Sequence, residues 1–520
     1  MNILLATYWP FPHIGGVSTY LGILRTRLEE VGHRVEILAQ HPDLLQYYLV
    51  GNGQLLEKQT FRTQAEAEVK ANYESRNLPY SPWLLWRESE KYAFELAFRQ
   101  ISLQNYDLVH TQDIISTFVC RRAKPSHVPL VATIHGCLAA EWMANDEILV
   151  RSPLERHYLS LEEYFGSMSS DCLILPSQWL SDKLSTFGIE HPCSYIIPYG
   201  LDQDIYENYL VSIERQGLTV SSLEKKSIII ACPARLVAIK GHGYLLEAMR
   251  LLAKQHENVV CWLIGDGVMR QDLERQVEEL KLQNHVYFWG KRHDVPELIA
   301  KADIVVLPSL QDNLPFSIIE AQSLGKPVVS SCIGGIVEMV EDGRNGFLVE
   351  PANAIDLFEK LLLLVEDRDL RSKMAVAARE HALAVWNDKV MLRQTLEVYK
   401  KAVSAQSFPV QIQDFTSSLI AGYLADEGEI AQPSSPLAAT LSGKIADGQT
   451  GRAAAHAHIH LLDMAGVVLL STTSGPEGTF EIRNLQQGNY ELGISAMALG
   501  MKTFKISVNS SEPIKLDVII

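Results

Sequence analysis

The chain has 520 residues, and 62 acidic residues against 46 basic ones leave a formal net charge of −16. At ~150 residues per domain this length favours three to four domains, and a hydrophobic content of 47% is enough to bury full cores, which excludes a disordered chain. The acidic balance argues against a nucleic-acid partner, because such proteins usually carry a basic face.

The first forty residues follow the pattern strand, glycine loop, helix, strand. Residues 3–6 form a short apolar run, and the two prolines and the Gly15-Gly16 pair that follow do not fit a regular element. Leucines at helical spacing then run to Gly32, and residues 35–38 form a second apolar run. The opening residues are not basic and no apolar run approaches ~18 residues, so we predict neither a signal peptide nor a transmembrane helix.

Short apolar runs alternate with helical patterns as far as residue 386. This alternation predicts an α/β protein with two parallel, doubly wound sheets and a mostly helical insertion at 44–105. Ligands bind such sheets at the carboxyl ends of the strands, so the cleft between the two units is the expected site. The predicted strands are 3–6, 35–38, 106–110, 130–135, 172–176 and 195–198, then 227–231, 259–264, 286–289, 304–307, 328–331 and 346–349.

The same patterns predict the domain boundaries. One α/β domain spans 1–198, a second spans 199–386, and an amphipathic helix occupies 387–404. Residues 405–439 contain proline and serine and few long apolar patterns, which is typical of a linker. From 440 to 520, short alternating runs are separated by glycines, and this pattern predicts a small all-β sandwich.

Two permanent cations lie where a strand of the second unit ends. Arg235 and Lys240 are five residues apart and are followed by Gly241. A guanidinium holds phosphate oxygens in two places, and a lysine adds a compact charge. The pattern therefore indicates a phosphate site, with ordinary surface charges as the alternative interpretation.

A proline-containing loop further along carries two carboxylates. Asp312 and Glu320 flank Pro315, where a loop leads into a helix whose first amide groups favour anions. A glutamate at position 320 can accept hydrogen bonds from both hydroxyls of a ribose, and Asp312 can face a sugar. Helix capping or coincidence is the alternative for an acidic pair at this spacing.

Taken in order, these motifs resemble those of a retaining GT-B glycosyltransferase of the group 1, or family 4, type, over roughly residues 1–400. Members of that family move a sugar from a nucleoside diphosphate onto an acceptor. The resemblance implies two Rossmann-like domains that face each other across a cleft, with the helix 387–404 returning to the first. The matched segments are Gly15-Gly16, His135-Gly136, residues 197–202, Arg235 to Gly241, Gly265-Asp266-Gly267, Ala302-Asp303, Pro308-Ser309, Glu320-Ala321, residues 325–329 and Gly334-Gly335.

The resemblance also implies a role for each matched residue. Arg235 and Lys240 would hold the diphosphate, Glu320 the ribose and Asp312 the hydroxyls of the donor sugar. His135 would position the sugar or the acceptor. The implied donor-binding set is Gly15, Gly16, Arg235, Lys240, Arg292, Ile318, Ile319 and Glu320, and the implied catalytic set is His135, Arg235, Lys240 and Asp312.

The implied reaction retains the anomeric configuration without a protein nucleophile, because the acceptor hydroxyl attacks the face from which the diphosphate leaves. No metal and no cofactor is expected, since Arg235, Lys240 and helix N-termini supply the positive potential. The expected partners are a nucleoside diphosphate sugar and a glycan or lipid-linked acceptor, with no nucleic acid. The Arg121-Arg122-x-Lys124 cluster is either a solvated helix end or a peripheral contact to an anionic lipid.

Seven scattered cysteines without a Cys-x-x-Cys pair predict reduced thiols in a cytoplasmic protein.

Asp312 departs from the usual glutamate of the family, which leaves a non-catalytic GT-B scaffold or nucleotide-sugar sensor as the alternative function. A nucleotide-sugar 2-epimerase is disfavoured by the order of the motifs. Gly265-x-Gly267 lacks the third glycine of a dinucleotide fingerprint, and Asp202-Gln203-Asp204 resembles a metal-binding pair in a turn where the family keeps a structural aspartate.

The C-terminal module resembles a carboxypeptidase regulatory-like, or transthyretin-like, sandwich through segments such as 441–445 and 478–482. Such modules serve as accessory or binding units. The alternating His456, His458 and His460 indicate either a surface metal site or a polar exposed sheet face. His110, at a strand end, either touches the acceptor or is a hydrogen-bonded structural histidine.

Overall fold

The computed structural model describes most of the chain. The described residues are 1–13, 15–51, 53–76, 78–144, 151–216, 227–404, 439–446, 453, 457–462, 468–475, 477–485, 488–496, 500–508 and 514–519. The predicted linker at 405–439 lies outside them, apart from its last residue. No helix in this part of the chain is long and apolar enough to cross a membrane.

The first unit is an eight-stranded sheet in the order β4-β3-β2-β1-β5-β6-β7-β8. Its strands are β1 Asn2–Pro10, β2 Arg34–Gln40, β3 Gln46–Val50, β4 Gln54–Glu57, β5 Leu108–Thr111, β6 Leu130–Thr133, β7 Cys172–Leu175 and β8 Ser194–Ile196. Its helices are α1 Gly16–Glu30, α2 Lys58–Ser75, α3 Pro82–Phe98, α4 Ile114–Ala123, α5 Leu138–Ala144, α6 Pro153–Met168 and α7 Gln178–Ser185.

The prediction of a purely parallel first sheet was wrong at one edge. Strands β3 and β4 form a hairpin that pairs antiparallel with β2, within the segment expected to be mostly helical. The alternating burial of β3, with Tyr47 and Leu49 inside, is the period-two pattern of a half-buried strand. The helices α2 and α3 that follow agree with the expected insertion.

The second unit has the doubly wound order β11-β10-β9-β12-β13-β14, with parallel pairing throughout. Its strands are β9 Ile228–Pro233, β10 Val259–Ile264, β11 Val286–Gly290, β12 Ile304–Leu307, β13 Val328–Ser331 and β14 Gly346–Val349. Its helices are α8 Gln203–Gln216, α9 His242–Gln255, α10 Arg270–Glu279, α11 Val295–Lys301, α12 Phe316–Ser323, α13 Ala354–Glu366 and α14 Arg368–Val385. Strands β10, β12 and β13 are buried along their whole length, which explains the unbroken apolar sequences of β10 and β12.

A last helix, α15 Asp388–Ser404, leaves the second unit and packs on the first. The Tyr399 hydroxyl lies 2.7 Å from Nδ1 of His110 on β5, and Lys401 donates to the Tyr195 hydroxyl on β8. Where α15 begins, Arg27 of α1 bonds the Asp388 carboxylate at 2.6 Å. The helix therefore ties the two units together on the side of α1.

The C-terminal module contains two four-stranded sheets, β18-β15-β21 with β22 and β17-β16-β19-β20. Its strands are β15 Ala439–Ala446, β16 His458–Leu462, β17 Val468–Thr473, β18 Thr479–Leu485, β19 Gly488–Ala496, β20 Gly500–Val508, β21 Ile514–Lys515 and β22 Val518–Ile519. Leu441 and Ile482 of one sheet share an apolar core with Ile459 and Leu492 of the other. The predicted β-sandwich is confirmed.

All seven cysteines are free thiols. Cys172 on β7 and Cys193 just before β8 are neighbours, with 2.8 Å between their Sγ atoms. Burial raises the pKa of Cys120 and Cys261 well above the usual value, so these thiols are neutral core residues.

Candidate active site

The predicted site residues lie at the carboxyl ends of the central strands. In the second sheet the strand order reverses between β9 and β12, and the loops after these strands carry Arg235 and Asp312 respectively. In the first sheet it reverses between β1 and β5, and Gly15 follows β1. A crevice opens at each reversal because the flanking connections leave in opposite directions.

Arg235 is exposed in the loop after β9. Among the described residues its guanidinium has no carboxylate or hydrogen-bond partner, whereas the nearby Arg270 and Arg292 both pair with acidic side chains. An unpaired guanidinium is ready to bind an anion bidentately.

Lys240 is already paired. Its Nζ donates to Oδ2 of Asp312, which also accepts a 3.1 Å hydrogen bond from the Ser309 hydroxyl. Both charged side chains are only 15% exposed. The shorter carboxylate at position 312 is thus fixed inside the second unit, close to the predicted diphosphate site.

Two glycines allow the loops around this pair to pack tightly. Gly241 has φ +68°, and a Cβ there would lie 1.9 Å from the carbonyl oxygen of Pro308. Gly334 has φ +56°, and a Cβ there would lie 1.8 Å from the carbonyl oxygen of Asp312. Any other residue would push these loops apart, since both positions combine a left-handed backbone with direct backbone contact.

The predicted ribose site is on α12. Burial raises the pKa of Glu320 to about 7, and the Tyr206 hydroxyl donates to its Oε1 at 3.3 Å. The side chains of Ile318 and Ile319 are fully buried in the core. Any contact of these two residues with a donor would therefore have to use the backbone, and the Ile318 amide already donates to Pro315.

By the family resemblance the segment 290–292 would border the base, and its Arg292 is paired with a nearby side chain. Its guanidinium makes a 2.6 Å ion pair with Asp294 and lies over the Trp289 ring at 5.7 Å. Burial is the main cause that lowers the pKa of His13. The charges of Arg235 and of the exposed Lys291 lower it further. His13 therefore faces both cations from the first unit.

His135 is in the loop after β6, where the units meet. Its Nδ1 is 2.7 Å from the Tyr199 hydroxyl and its Nε2 is 3.2 Å from Oε1 of Gln112. Burial lowers its pKa to about 3, so the ring is neutral near pH 7 and is not a cationic acid. Its carbonyl oxygen accepts a 3.0 Å hydrogen bond from Asn313 of the second unit.

Close contacts join the two units around this loop. Gly16 approaches Phe316 so closely that a Cβ would lie 3.3 Å from the ring, and Phe316 stacks on Tyr199 with ring centroids 4.9 Å apart. Ser177 donates to Oδ1 of Asn313 at 2.5 Å. The cleft is therefore narrow beside Gly15 and Gly16.

The other sequence candidates occupy structural positions. His110 is fully buried and both ring nitrogens are hydrogen-bonded, to Tyr399 and Thr133, so the acceptor-contact alternative does not apply. Asp202 forms an ion pair with Arg27, and Asp204 pairs with Lys389 at 3.1 Å.

The basic cluster of α4 is likewise internally paired. Arg121 bonds Asp171 at 2.7 Å, Arg122 lies 3.3 Å from Glu95, and Lys124 donates to the Val128 carbonyl. The C-terminal histidines cannot be assessed: His456 and the side chains of His458 and His460 lie outside the described residues.

Sequence reasoning missed several residues of the cleft. The residues to which it assigned no role are His13, Gln112, Glu141, Tyr199 and Asn313. His13 and Tyr199 lie beside recognised motifs, so their position was a usable signal. Gln112, Glu141 and Asn313 reach His135 or Gly136 through tertiary contacts, for which a single sequence carries no spacing rule.

Family models identify this architecture. A model described as glycosyl transferases group 1 matches residues 218–381, and one described as glycosyltransferase family 4 matches residues 14–205. The chain belongs to the group 1 and family 4 glycosyltransferases. A third model, a carboxypeptidase regulatory-like domain, matches residues 440–520 and agrees with the C-terminal sandwich.

Named relatives of the glycosyltransferase support the assignment. An MMP α-(1→4)-mannosyltransferase of Mycolicibacterium hassiacum is 26% identical over 429 residues, covering 78% of this chain and 99% of that protein. An N,N′-diacetylbacillosaminyl-diphospho-undecaprenol α-1,3-N-acetylgalactosaminyltransferase of Campylobacter jejuni is 32% identical over 184 residues, covering 35% and 46%. Because these relatives are transferases, the non-catalytic alternative is not favoured.

A solved structure has the same fold. HepE of Anabaena, crystallised with UDP-glucose, superposes with a TM-score of 0.58 at 21% identity and covers 77% of this chain and 100% of that chain. The expected GT-B fold, with two α/β units facing each other across a cleft, is confirmed.

Proposed function

We propose that this glycosyltransferase moves a hexosyl unit from a nucleoside diphosphate sugar to a hydroxyl of a glycan or lipid-linked acceptor. The proposal includes retention of configuration, independence from metals and cofactors, and a cytoplasmic location with peripheral membrane contact. The observation that carries it is the exposed Arg235 at the reversal of the second sheet, whose guanidinium has no partner in the part of the chain that the structure describes. The UDP-glucose bound by HepE and the diphospho-undecaprenol in the name of the Campylobacter enzyme support these substrate classes.

In the proposed reaction the bond between the sugar C1 and the diphosphate oxygen breaks, and its electron pair leaves with the diphosphate. The acceptor oxygen bonds to C1 on the same face, and its proton passes to a phosphate oxygen of the leaving group. Arg235 and Lys240 stabilise the growing negative charge, each charged hydrogen bond contributing roughly 1.5–3 kcal/mol. Asp312, anchored by Lys240 and Ser309, accepts hydrogen bonds from the donor sugar.

Donor binding can be tested by thermal unfolding with UDP-glucose, UDP-galactose, UDP-N-acetylglucosamine and GDP-mannose. A ligand at 100 times its Kd stabilises the protein by ~2.7 kcal/mol. Arg235→Ala is expected to abolish this shift, because it removes the bidentate phosphate contact. The matched control is Arg275→Ala, an exposed arginine of α10 in the same unit. If Arg235→Ala responds like wild type, the diphosphate is not at this position.

Stereochemistry and metal dependence need a separate measurement. NMR of the first product formed reports whether the anomeric configuration matches the donor. The proposal expects retention and a turnover rate that EDTA does not change. An inverted product, or loss of activity that added divalent metal restores, would contradict it.

A further inference from the structure

One carboxylate of the first unit enters the cleft without an assigned role. Glu141 is on α5, which begins three residues after His135, and its side chain is exposed. Its Oε1 would lie 2.7 Å from a Cβ placed on Gly136, so the carboxylate is folded back over the loop that follows β6. No hydrogen bond or ion pair engages this carboxylate among the described residues.

Two contacts hold the helix that carries Glu141. The buried Glu163 of α6 accepts a 2.9 Å hydrogen bond from the Ala139 amide in the first turn of α5. Trp142, next to Glu141, packs edge-on against Trp83 of α3 with centroids 5.8 Å apart. These contacts fix the direction of α5 relative to the cleft.

Glu141 faces the catalytic groups of the opposite unit. Although the residue as a whole is exposed, the protein around its carboxylate displaces water from the ionised form and is the main cause that raises its pKa. The negative charge of Asp312 adds to the rise, and Lys240 and Arg235 act in the opposite direction. The place of Glu141 over Gly136 gives the geometric reason, because the carbonyl of the preceding His135 binds Asn313, which adjoins Asp312 in the second unit. A carboxylate cannot itself bind the diphosphate, because like charges repel.

We propose that Glu141 accepts a hydrogen bond from the attacking acceptor hydroxyl and orients it towards the donor sugar. This inference rests on the proposed function. A hydroxyl donor is the natural partner of an unpaired carboxylate on the acceptor side of the cleft. Water, the smallest acceptor, would be oriented in the same way.

The test compares the full-length wild type with Glu141→Gln and Glu141→Ala, and uses Glu66→Gln on the exposed face of α2 as the matched control. The Kd for UDP is measured by calorimetry, and hydrolysis is followed with whichever donor stabilises the wild type most. We expect Glu141→Gln to lower the hydrolysis kcat by about tenfold or more, because one charged hydrogen bond is lost. The Kd for UDP should remain unchanged. The control should match wild type.

Three outcomes separate the possibilities. If Glu141→Gln hydrolyses the donor like wild type, this inference is overturned while the proposed function stands. If the Kd for UDP weakens as it does in Arg235→Ala, Glu141 acts on the donor site and the acceptor role is also overturned. If the wild type itself neither binds UDP nor turns over any donor, the proposed function fails first.

Discussion

Glu320, the proposed ribose ligand, is a half-buried carboxylate. Burial disfavours its charged form, and the hydrogen bond from Tyr206 only partly compensates. A group whose pKa is raised on folding stabilises the protein at low pH, and that contribution is lost as the pH rises through the folded value. The empty protein is therefore expected to lose this contribution between about pH 4.5 and 7.

This carboxylate predicts a pH dependence for donor binding. Ribose hydroxyls donate to the ionised form, so the affinity for a UDP-sugar should rise from pH 6 to pH 8, by up to about tenfold if only the ionised form binds. A UDP-sugar is the appropriate ligand, because its diphosphate diester does not titrate near neutrality. Calorimetry at several pH values checks this.

Glu320→Gln should flatten the profile, since the amide does not ionise. A pH dependence of the same size in this variant would assign it to another group. His13 cannot mimic the predicted trend, because an imidazole facing the diphosphate favours binding at lower pH.

At the scale of elements, the start of α7 joins the two units. Glu338 of the second unit accepts hydrogen bonds from the Gln178 and Trp179 amides of the first, at 3.0 and 2.6 Å. An anion at a helix N-terminus is stabilising by typically 0.3–1 kcal/mol. Asn313 makes a second bridge through Ser177, so the same helix end contacts the second unit twice.

Removing this anion should favour an open cleft. Glu338→Ala is expected to raise the donor KM about two- to fivefold, the equivalent of ~0.5–1 kcal/mol of closure, and to increase the radius of gyration measured by X-ray scattering. Glu359→Gln, an exposed residue of α13, is the control. Unchanged scattering and KM would mean that this contact does not hold the units together.

At the scale of the whole molecule, the transferase units and the sandwich have separate apolar cores. The core of the sandwich consists of residues of β15 to β22, whereas Leu307, Ile319, Trp386 and Tyr399 belong to a core that joins residues of both transferase units and α15. This division predicts that the sandwich is an accessory module.

Deleting residues 406–520 is therefore expected to change the rate of donor hydrolysis by no more than about twofold, because the described residues of the sandwich share no apolar core with the transferase units. The truncated and full-length proteins are compared with the same UDP-sugar, and circular dichroism confirms that the shorter chain is folded. A collapse of hydrolysis in a folded truncated protein would contradict the accessory role. A change confined to acceptor transfer would assign the module to acceptor binding.

Much of this architecture follows from local sequence patterns. Apolar runs of four to six residues, such as those at 259–264 and 304–307, coincide with the observed strands, because strands buried on both faces need continuous apolar sequence. The β3–β4 hairpin was missed, because its two strands are short and the composition of the surrounding segment is typical of a helical insertion. Strand order then places Arg235 and Asp312 together, because both follow central strands.

The sequence alone determined the two α/β units, the sandwich, the family and the cations of the proposed donor site, since periodicity and motif spacing are local properties of the chain. Tertiary structure decided which of those charges are available. Lys240 is paired with Asp312 and Arg292 with Asp294, whereas Arg235 faces the cleft without a partner among the described residues. It also brought Glu141 of the first unit opposite Asp312 of the second. These two residues are 171 positions apart in the sequence, so only the way in which the two units face each other determines the distance between them.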